Sequence, residues 1–260
     1  MKIAVVQMDI AFAEPERNFS QVEKWVDEGA KGGADVIILP EMWNAGYALQ
    51  ELNRLADADG KRTKEFLARL AKKHGVNLVG GSVATKKKGA FFNTMYVANR
   101  SGEIISEYDK AHLFKLMDEH EYMNAGEQVN LFSLDEATCG GIICYDLRFP
   151  EWTRTHVLKG ASILFIPAQW PKMRIDHWQL LLQARAIENQ CFVVAVNRVG
   201  NDPKNEFNGH SMVIAPWGEL LIAGKTEEGI FYTELNLQEV TRVRESIPVF
   251  EDRRTNLYEL

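Results

Sequence analysis

Short β-branched runs alternate with amphipathic stretches along almost the whole chain, and this alternation constrains the fold more than any other feature. Apolar runs over 3–8, 35–39 and 77–83 are separated by helical periodicity over 18–31 and 61–74. That rhythm predicts an α/β protein whose sheet strands are covered by helices. Runs over 91–98 and 103–108 flank Asn99-Arg100-Ser101-Gly102, a turn cluster that predicts a hairpin and hence a mixed sheet. The second half repeats the pattern, with strands expected over 137–144, 162–167 and 192–197 and helices over 149–159 and 175–190. Two more strand runs, 210–215 and 230–235, precede a polar tail. No linker or composition break divides the chain, so a single domain over 1–260 is expected.

The balance of 36 acidic and 30 basic residues gives a formal charge of −6, which offers no general attraction to polyanions and argues against nucleic-acid or anionic-membrane partners. No apolar run approaches the length of about 18 residues needed to span a bilayer, and Asp9 interrupts the first apolar run too early for a signal peptide. Three cysteines, Cys139, Cys144 and Cys191, are too few and of the wrong parity for a disulfide framework. The cytoplasm is the expected compartment.

Several familiar motifs nearly occur and fail. Gly218 to Thr226 ends like a phosphate-binding loop, but five residues separate its glycines where the cradle needs four. Gly209-His210-Ser211-Met212-Val213 has a β-branched valine where a nucleophile elbow needs glycine. The six histidines form no i, i+4 pair and the cysteines have no ligand spacing, so no metal site is expected.

Three other residues have better credentials. Cys144 follows an apolar strand and precedes a helical stretch, at the kind of edge where α/β proteins place reactive groups and where backbone N–H groups can lower a thiol's pKa. The competing expectation is that it packs as a small buried hydrophobe, as Cys139 and Cys191 do. Glu41 ends the apolar segment Ile37-Ile38-Leu39-Pro40; enclosed by Leu39, Met42 and Trp43 it becomes a proton acceptor, whereas at an exposed helix start it does nothing special. Lys110 follows a strand between aromatic residues, in a chain where most lysines lie in solvent.

Together and in this order, Glu41, Lys110 in Lys-Ala-His-Leu-Phe and Cys144 in Cys-Tyr-Asp-Leu-Arg-Phe-Pro resemble the catalytic set of the nitrilase, or carbon–nitrogen hydrolase, superfamily. The likeness runs from the first strand to Ile230-Phe231-Tyr232. It implies a four-layer α-β-β-α sandwich, pairing with a second subunit as a homodimer, and hydrolysis without metal or organic cofactor. A second glutamate used by some members maps to Glu119, seven residues before Gly126, with Glu121 the alternative alignment. Pro167-Ala168-Gln169-Trp170-Pro171 and the segment from His177 to Asn189 resemble the branch containing omega-amidases, which implies a 2-oxo acid amide such as 2-oxoglutaramate as substrate. Another amidase, a carbamoylase, a nitrilase or a catalytically silent scaffold are the alternatives.

In such chemistry the thiol attacks the amide, Glu41 carries protons, and the Lys110 ammonium with the Tyr145 backbone N–H holds the oxyanion. Trp170 and Arg174, in the loop after the strand over 162–167, are candidates for substrate contact, with Arg174 gripping a distal carboxylate. Arg174 equally suits a helix cap or solvent. Arg148 is the less favoured alternative because it is expected to be occupied in fixing the nucleophile turn.

Overall fold

The computed structural model describes residues 1–258; the last two positions of the expected domain lie outside them. The first strand, β1 (Lys2–Gln7), shows why the chain folds in layers. Ile3 and Val5 pack into the cluster that both sheets share, whereas Ala4 and Val6 pack beneath helices. A strand apolar on both faces needs cover on both.

The first half runs β1, α1 (Pro15–Lys31), β2 (Val36–Ile38), α2 (Leu52–Leu55), β3 (Asp57–Ala58), α3 (Lys61–His74), β4 (Asn77–Lys87), β5 (Ala90–Ala98), β6 (Ile104–Asp109) and α4 (Glu119–Tyr122). Its strands order β15-β1-β2-β4-β5-β6, with β3 also on β4 and β15 (Gly229–Glu234) arriving from the far end of the chain. The second half runs β7 (Leu131–Leu134), β8 (Ala137–Gly141), α5 (Pro150–Leu158), β9 (Ile163–Ala168), α6 (Ile175–Asn189), β10 (Phe192–Asn197), β11 (Val199–Asn201), β12 (Glu206–Asn208), β13 (Met212–Ile214), β14 (Leu220–Ala223), β15 and α7 (Gln238–Ser246). Its main sheet orders β14-β13-β10-β9-β8-β7, while β11 and β12 form a separate hairpin.

Each large sheet has a parallel centre, β1-β2-β4 in one and β8-β9-β10 in the other, flanked by antiparallel strands. Helical crossovers join the parallel strands, as parallel pairing requires. α1 turns Phe19, Val22 and Val26 onto the first sheet and α3 adds Leu67, Leu70 and Ala71. α5 and α6 cover the second sheet with Val157, Trp178, Leu182 and Ala186. Between the sheets lies one continuous core, so the four-layer α-β-β-α sandwich with mixed sheets is the fold.

The hairpin expected at Asn99-Arg100-Ser101-Gly102 joins β5 to β6. Three local expectations need correction. β4 does not stop at Val83 but continues to Lys87 and turns through Lys88-Gly89 into β5. Part of the polar tail is a helix, α7, which buries Val240. The strand expected over 137–144 ends at Gly141: Ile142 N–H still donates to Phe165 O on β9, but Ile143 N–H turns to the Asp146 carboxylate, which takes the chain off the ladder.

The parallel strands end along one edge. Glu41 follows β2, Cys144 follows β8, Gln169 follows β9 and Arg198 follows β10, while Lys110 follows β6, which runs in the same sense. That edge is where open α/β sheets form their sites.

Candidate active site

Leaving β2, the chain cannot continue the ladder at Pro40, which has no N–H, and it turns at Met42 with φ of 47°. The turn is received by a bulge in β4: Ser82 accepts Met42 N–H on its hydroxyl and Trp43 N–H on its carbonyl, both at 3.0 Å. Gly81 makes the close approach possible, since a Cβ there would overlap the Pro40 carbonyl oxygen. Glu41 is therefore held rigidly and fully buried.

Its surroundings differ from those expected. Leu39 and Trp43 face the helical layer, where Trp43 packs edge-on to Phe19, so they do not enclose the carboxylate. Polar donors do. Oε1 accepts Tyr47 OH at 2.7 Å, Asn93 Nδ2 at 2.8 Å and Lys110 Nζ at 2.9 Å, while Oε2 accepts Gln169 N–H at 2.8 Å. A buried charge persists only when paired and hydrogen-bonded in this way.

Lys110 is also wholly buried, in contrast to the ordinary solvated lysine. Its ammonium lies 2.8 Å from Glu119 Oε2, 3.1 Å from Glu119 Oε1 and 3.2 Å from Tyr47 OH. Burial alone lowers a lysine pKa, but Glu119 and Glu41 outweigh it and the ammonium is held firmly protonated. Glu119 additionally accepts Phe114 N–H at 2.7 Å and Asn93 Nδ2 at 3.0 Å. Its carboxyl is pushed up, first by burial and then by Glu41, with Lys110 opposing. Of the two aligned glutamates, Glu119 lies in this cluster, whereas Glu121 is exposed beside His120.

Cys144 begins a 3-10 turn (Cys144–Arg148), and the helix expected over 149–159 follows it as α5 from Pro150. The residue has φ of 45°, a conformation that costs of order 1–3 kcal/mol for a non-glycine residue and marks a site held by its surroundings. Asp146 and Arg185 do the holding: Asp146 caps Ile143 N–H at 2.9 Å, and Arg185 donates twice to Leu147 O, at 3.0 and 2.8 Å. The thiol is pushed well above its usual range, chiefly by burial and then by Glu41. It rests neutral, 4.0 Å from Gln169 O. At the start of the turn, Tyr145 N–H has no intrahelical acceptor.

Trp170 is buried with its indole N–H on Arg174 O at 2.8 Å. The Arg174 side chain makes no cap to α6; its guanidinium stacks 5.3 Å from the Phe114 ring, which packs on Tyr145 at 4.8 Å. Arg148 does not fix the Cys144 turn through its side chain. Its guanidinium lies over the Trp170 ring at 4.7 Å and beside His177 Nδ1. Arg174's pKa is lowered by burial and then by Arg148, so two cations share this mouth, and among the described residues neither has a carboxylate partner.

Next to the cluster a cleft of about 390 Å³ reaches Tyr47 between Leu116, Met117 and the tip of the β11–β12 hairpin. That is small-molecule size. Sequence reasoning missed Tyr47, Asn93, Asp146, Gln169 and Arg198 as parts of the site. A lone Asn93 in the apolar β5 was a local signal, and Asp146 and Gln169 lie in the segments that carry the resemblance, whereas Tyr47 and Arg198 become meaningful only once distant strands meet.

The carbon–nitrogen hydrolase family model matches residues 2–245. A 2-oxoglutaramate amidase of Bacillus subtilis (strain 168) is 53% identical over 256 residues, covering 98% of this chain and 98% of that protein. A hydrolase in the agr operon of Staphylococcus aureus is 43% identical over 260 residues, covering 99% of this chain and 100% of the relative. Among solved structures, a superfamily protein of Xanthomonas campestris with an arsenic adduct in its active site aligns with a TM-score of 0.92 at 28% identity, covering 100% of this chain and 98% of that one. With the likeness extending over nearly its whole length, the chain belongs to the carbon–nitrogen hydrolase family.

Proposed function

We propose that this protein is a cysteine-dependent amidase that releases ammonia from the omega-amide of a 2-oxo acid, with 2-oxoglutaramate as the best substrate. The observation that carries the chemistry is the buried constellation of Cys144, Glu41, Lys110 and Glu119, in which one ammonium bridges two carboxylates beside a neutral thiol.

An amide is a poor electrophile, so covalent catalysis divides one difficult hydrolysis into two easier steps. Glu41 takes the thiol proton as Cys144 sulfur attacks the amide carbon. The tetrahedral oxyanion is held by Tyr145 N–H and the Lys110 ammonium, which gives up its longest contact, to Tyr47 OH at 3.2 Å, for the new one. One such donor contributes about 2.7–4 kcal/mol to the transition state. Collapse breaks the C–N bond, and Glu41 returns the proton to the departing nitrogen, leaving a thioester and free ammonia. Glu41 then accepts a proton from water as the water attacks the thioester, and the released thiolate regains a proton. Glu119 fixes Lys110 and compensates its charge in the dry interior.

Arg174 is read as the carboxylate-binding residue, with Trp170 and Tyr145 lining the same mouth. Support comes from the two cations there and from the relative in Bacillus subtilis that is a 2-oxoglutaramate amidase. Opposed guanidiniums also disfavour an α-ammonium, which selects 2-oxo acid amides over glutamine.

The protein is further read as one domain over 1–260, as a homodimer and as cytoplasmic. Exposed Leu180 and Ile187 on α6, with Trp217 close by, give the helical face an apolar surface suited to a second copy. Three unpaired cysteines suit a reducing compartment.

Ammonia release measured across 2-oxoglutaramate, glutamine, a short nitrile and an N-carbamoyl amino acid tests the assignment. The highest kcat/KM is expected with 2-oxoglutaramate; faster turnover of nitrile or carbamoyl substrate overturns the amidase reading.

A further inference from the structure

The two oxygens of Glu41 are not equivalent. Oε1 already receives three donors, from Tyr47, Asn93 and Lys110, whereas Oε2 receives one, the Gln169 N–H. A carboxylate oxygen has about two lone-pair sites, so Oε1 is filled and Oε2 retains an open one. Gln169 also stands next to the nucleophile, with its carbonyl oxygen 4.0 Å from Cys144 Sγ.

The Gln169 side chain fastens the same backbone from the other side. Its Nε2 donates to the Glu41 carbonyl at 2.8 Å, and its Oε1 accepts Arg198 Nη1 at 3.2 Å. Arg198 is fully buried and every part of its fork is engaged: Nη2 with Asp9 Oδ1 at 2.6 Å and Ile10 O at 3.0 Å, Nε with Val199 O at 2.9 Å, and the guanidinium against the Phe207 ring at 4.5 Å. An amide side chain can flip end for end, but with Arg198 on one end and a carbonyl on the other only one orientation satisfies both partners.

We propose that Glu41 Oε2 is the atom that accepts the Cys144 proton and that Gln169, locked by Arg198, is the positioning residue that aims it. The proposal rests on the reading of Cys144 as nucleophile and Glu41 as base. In the step, the S–H bond breaks, the sulfur keeps the electron pair and an O–H bond forms on Oε2; the same proton later leaves Oε2 for the departing nitrogen. Oε1, fixed by three donors, serves as the pivot that keeps the carboxylate in plane.

Gln169→Ala and Arg198→Lys test this with two readouts. The first is kcat divided by the fraction of Cys144 that iodoacetamide alkylates in the folded protein, which removes any loss from misfolding. The second is the pH dependence of that alkylation. The groups facing the thiol are Glu41, Lys110, Glu119, Tyr47 and Arg174, and neither variant removes any of them.

Each variant is expected to lower kcat per reactive site by about 100-fold, the effect of a displacement of about 1 Å, with KM little changed. Each is also expected to move the alkylation inflection to lower pH, because the aligned carboxylate of Glu41 holds the proton on the sulfur and its misalignment relaxes that hold. The double variant should be no slower than the slower single one, since both act through the same contact. Unchanged kcat per reactive site, or an unmoved alkylation profile, overturns the proposal. Cys144→Ala separates the two readings: turnover in that variant overturns the nucleophile assignment itself, whereas its inactivity beside a normal Gln169→Ala enzyme overturns only the role of Gln169.

Discussion

Asp146 binds His112 twice through one oxygen, accepting the backbone N–H at 2.9 Å and the ring Nδ1–H at 2.7 Å. Its other oxygen accepts Tyr108 OH at 2.7 Å and Ile143 N–H at 2.9 Å. One buried carboxylate therefore joins the segment carrying Lys110 to the turn carrying Cys144. Asp146→Asn replaces an acceptor with a donor that must face one of these N–H or O–H groups. A loss of about 1–3 kcal/mol in stability is expected, the cost of an unsatisfied buried donor. Urea unfolding measures it, and kcat should fall further than the unfolded fraction explains because the φ of 45° at Cys144 is no longer enforced.

The three thiols should differ sharply in reactivity. Cys139 and Cys191 are buried away from the cluster, and burial pushes each thiol up to about 12. Burial raises the Cys144 thiol as well, but of the three it alone has Glu41 and Lys110 beside it. Intact mass spectrometry after iodoacetamide treatment of the native protein is expected to show one adduct, on Cys144, and Cys144→Ala should abolish turnover while leaving the unfolding midpoint near that of the parent. An acyl adduct trapped on Cys139 or Cys191 would contradict this.

Fold class was legible because periodicity is local. Ile3, Ala4, Val5 and Val6 announce a strand buried on both faces, and Phe19, Val22 and Val26 announce the helix that covers it. Glu41, Lys110 and Cys144 could be picked out as candidates because each follows a strand in a distinctive segment, and the fold brings those strand ends to one edge. What stayed hidden depends on contacts remote in sequence: β15 pairs with β1 across more than two hundred residues, and Arg198 reaches Asp9 and Gln169 at once. The Glu41 environment was misjudged for a related reason. Its sequence neighbours are apolar, but Met42 turns through positive φ and delivers the carboxylate to Tyr47, Asn93 and Lys110 instead.

Glu119 and Glu121 can be separated by substitution. Glu119→Gln removes a charge from a buried ammonium and disturbs the contacts to Phe114 N–H and Asn93, so kcat should fall by about 100-fold or more through misplacement of Lys110. Glu121→Gln touches an exposed side chain and should change kcat by no more than about 2-fold. Steady-state ammonia release on both variants decides the matter, and the reverse order would show that the glutamate was misassigned.

Stability should fall on mild acidification because of His156. Its Nδ1–H donates to Trp152 O at 2.8 Å and its Nε2 accepts Asn130 N–H at 3.2 Å, so the buried ring must be neutral. Burial lowers its pKa below the ordinary 6.5. Between those two values the unfolded chain binds the proton and the folded one does not, so stability is complete above about 6.5 and declines as pH falls through it. Glu119, whose carboxyl is pushed up, contributes with the opposite sign above its ordinary 4.5. Comparing urea midpoints of the parent and His156→Gln across pH 5 to 8 isolates the histidine: the parent's decline toward low pH should be the steeper.

Arg174 offers the clearest test of substrate class. Its guanidinium is half-buried over Phe114, beside Arg148 and without a carboxylate partner among the described residues, so an incoming carboxylate meets a donor that is already placed and partly dehydrated. Arg174→Met keeps the apolar stem against Phe114 and removes only the charge and the donors. For 2-oxoglutaramate, kcat/KM is expected to fall by about 1.5–3 kcal/mol, the worth of a hydrogen bond to a charged group. A short neutral amide makes no such bond and should be hydrolysed almost as well as by the parent. If Arg148→Met produces the selective loss and Arg174→Met does not, the carboxylate sits on the Trp170 side of the mouth. Equal losses on charged and neutral substrates in both variants would remove the carboxylate role from this pair, and the preference for 2-oxo acid amides would then have to come from elsewhere in the cleft.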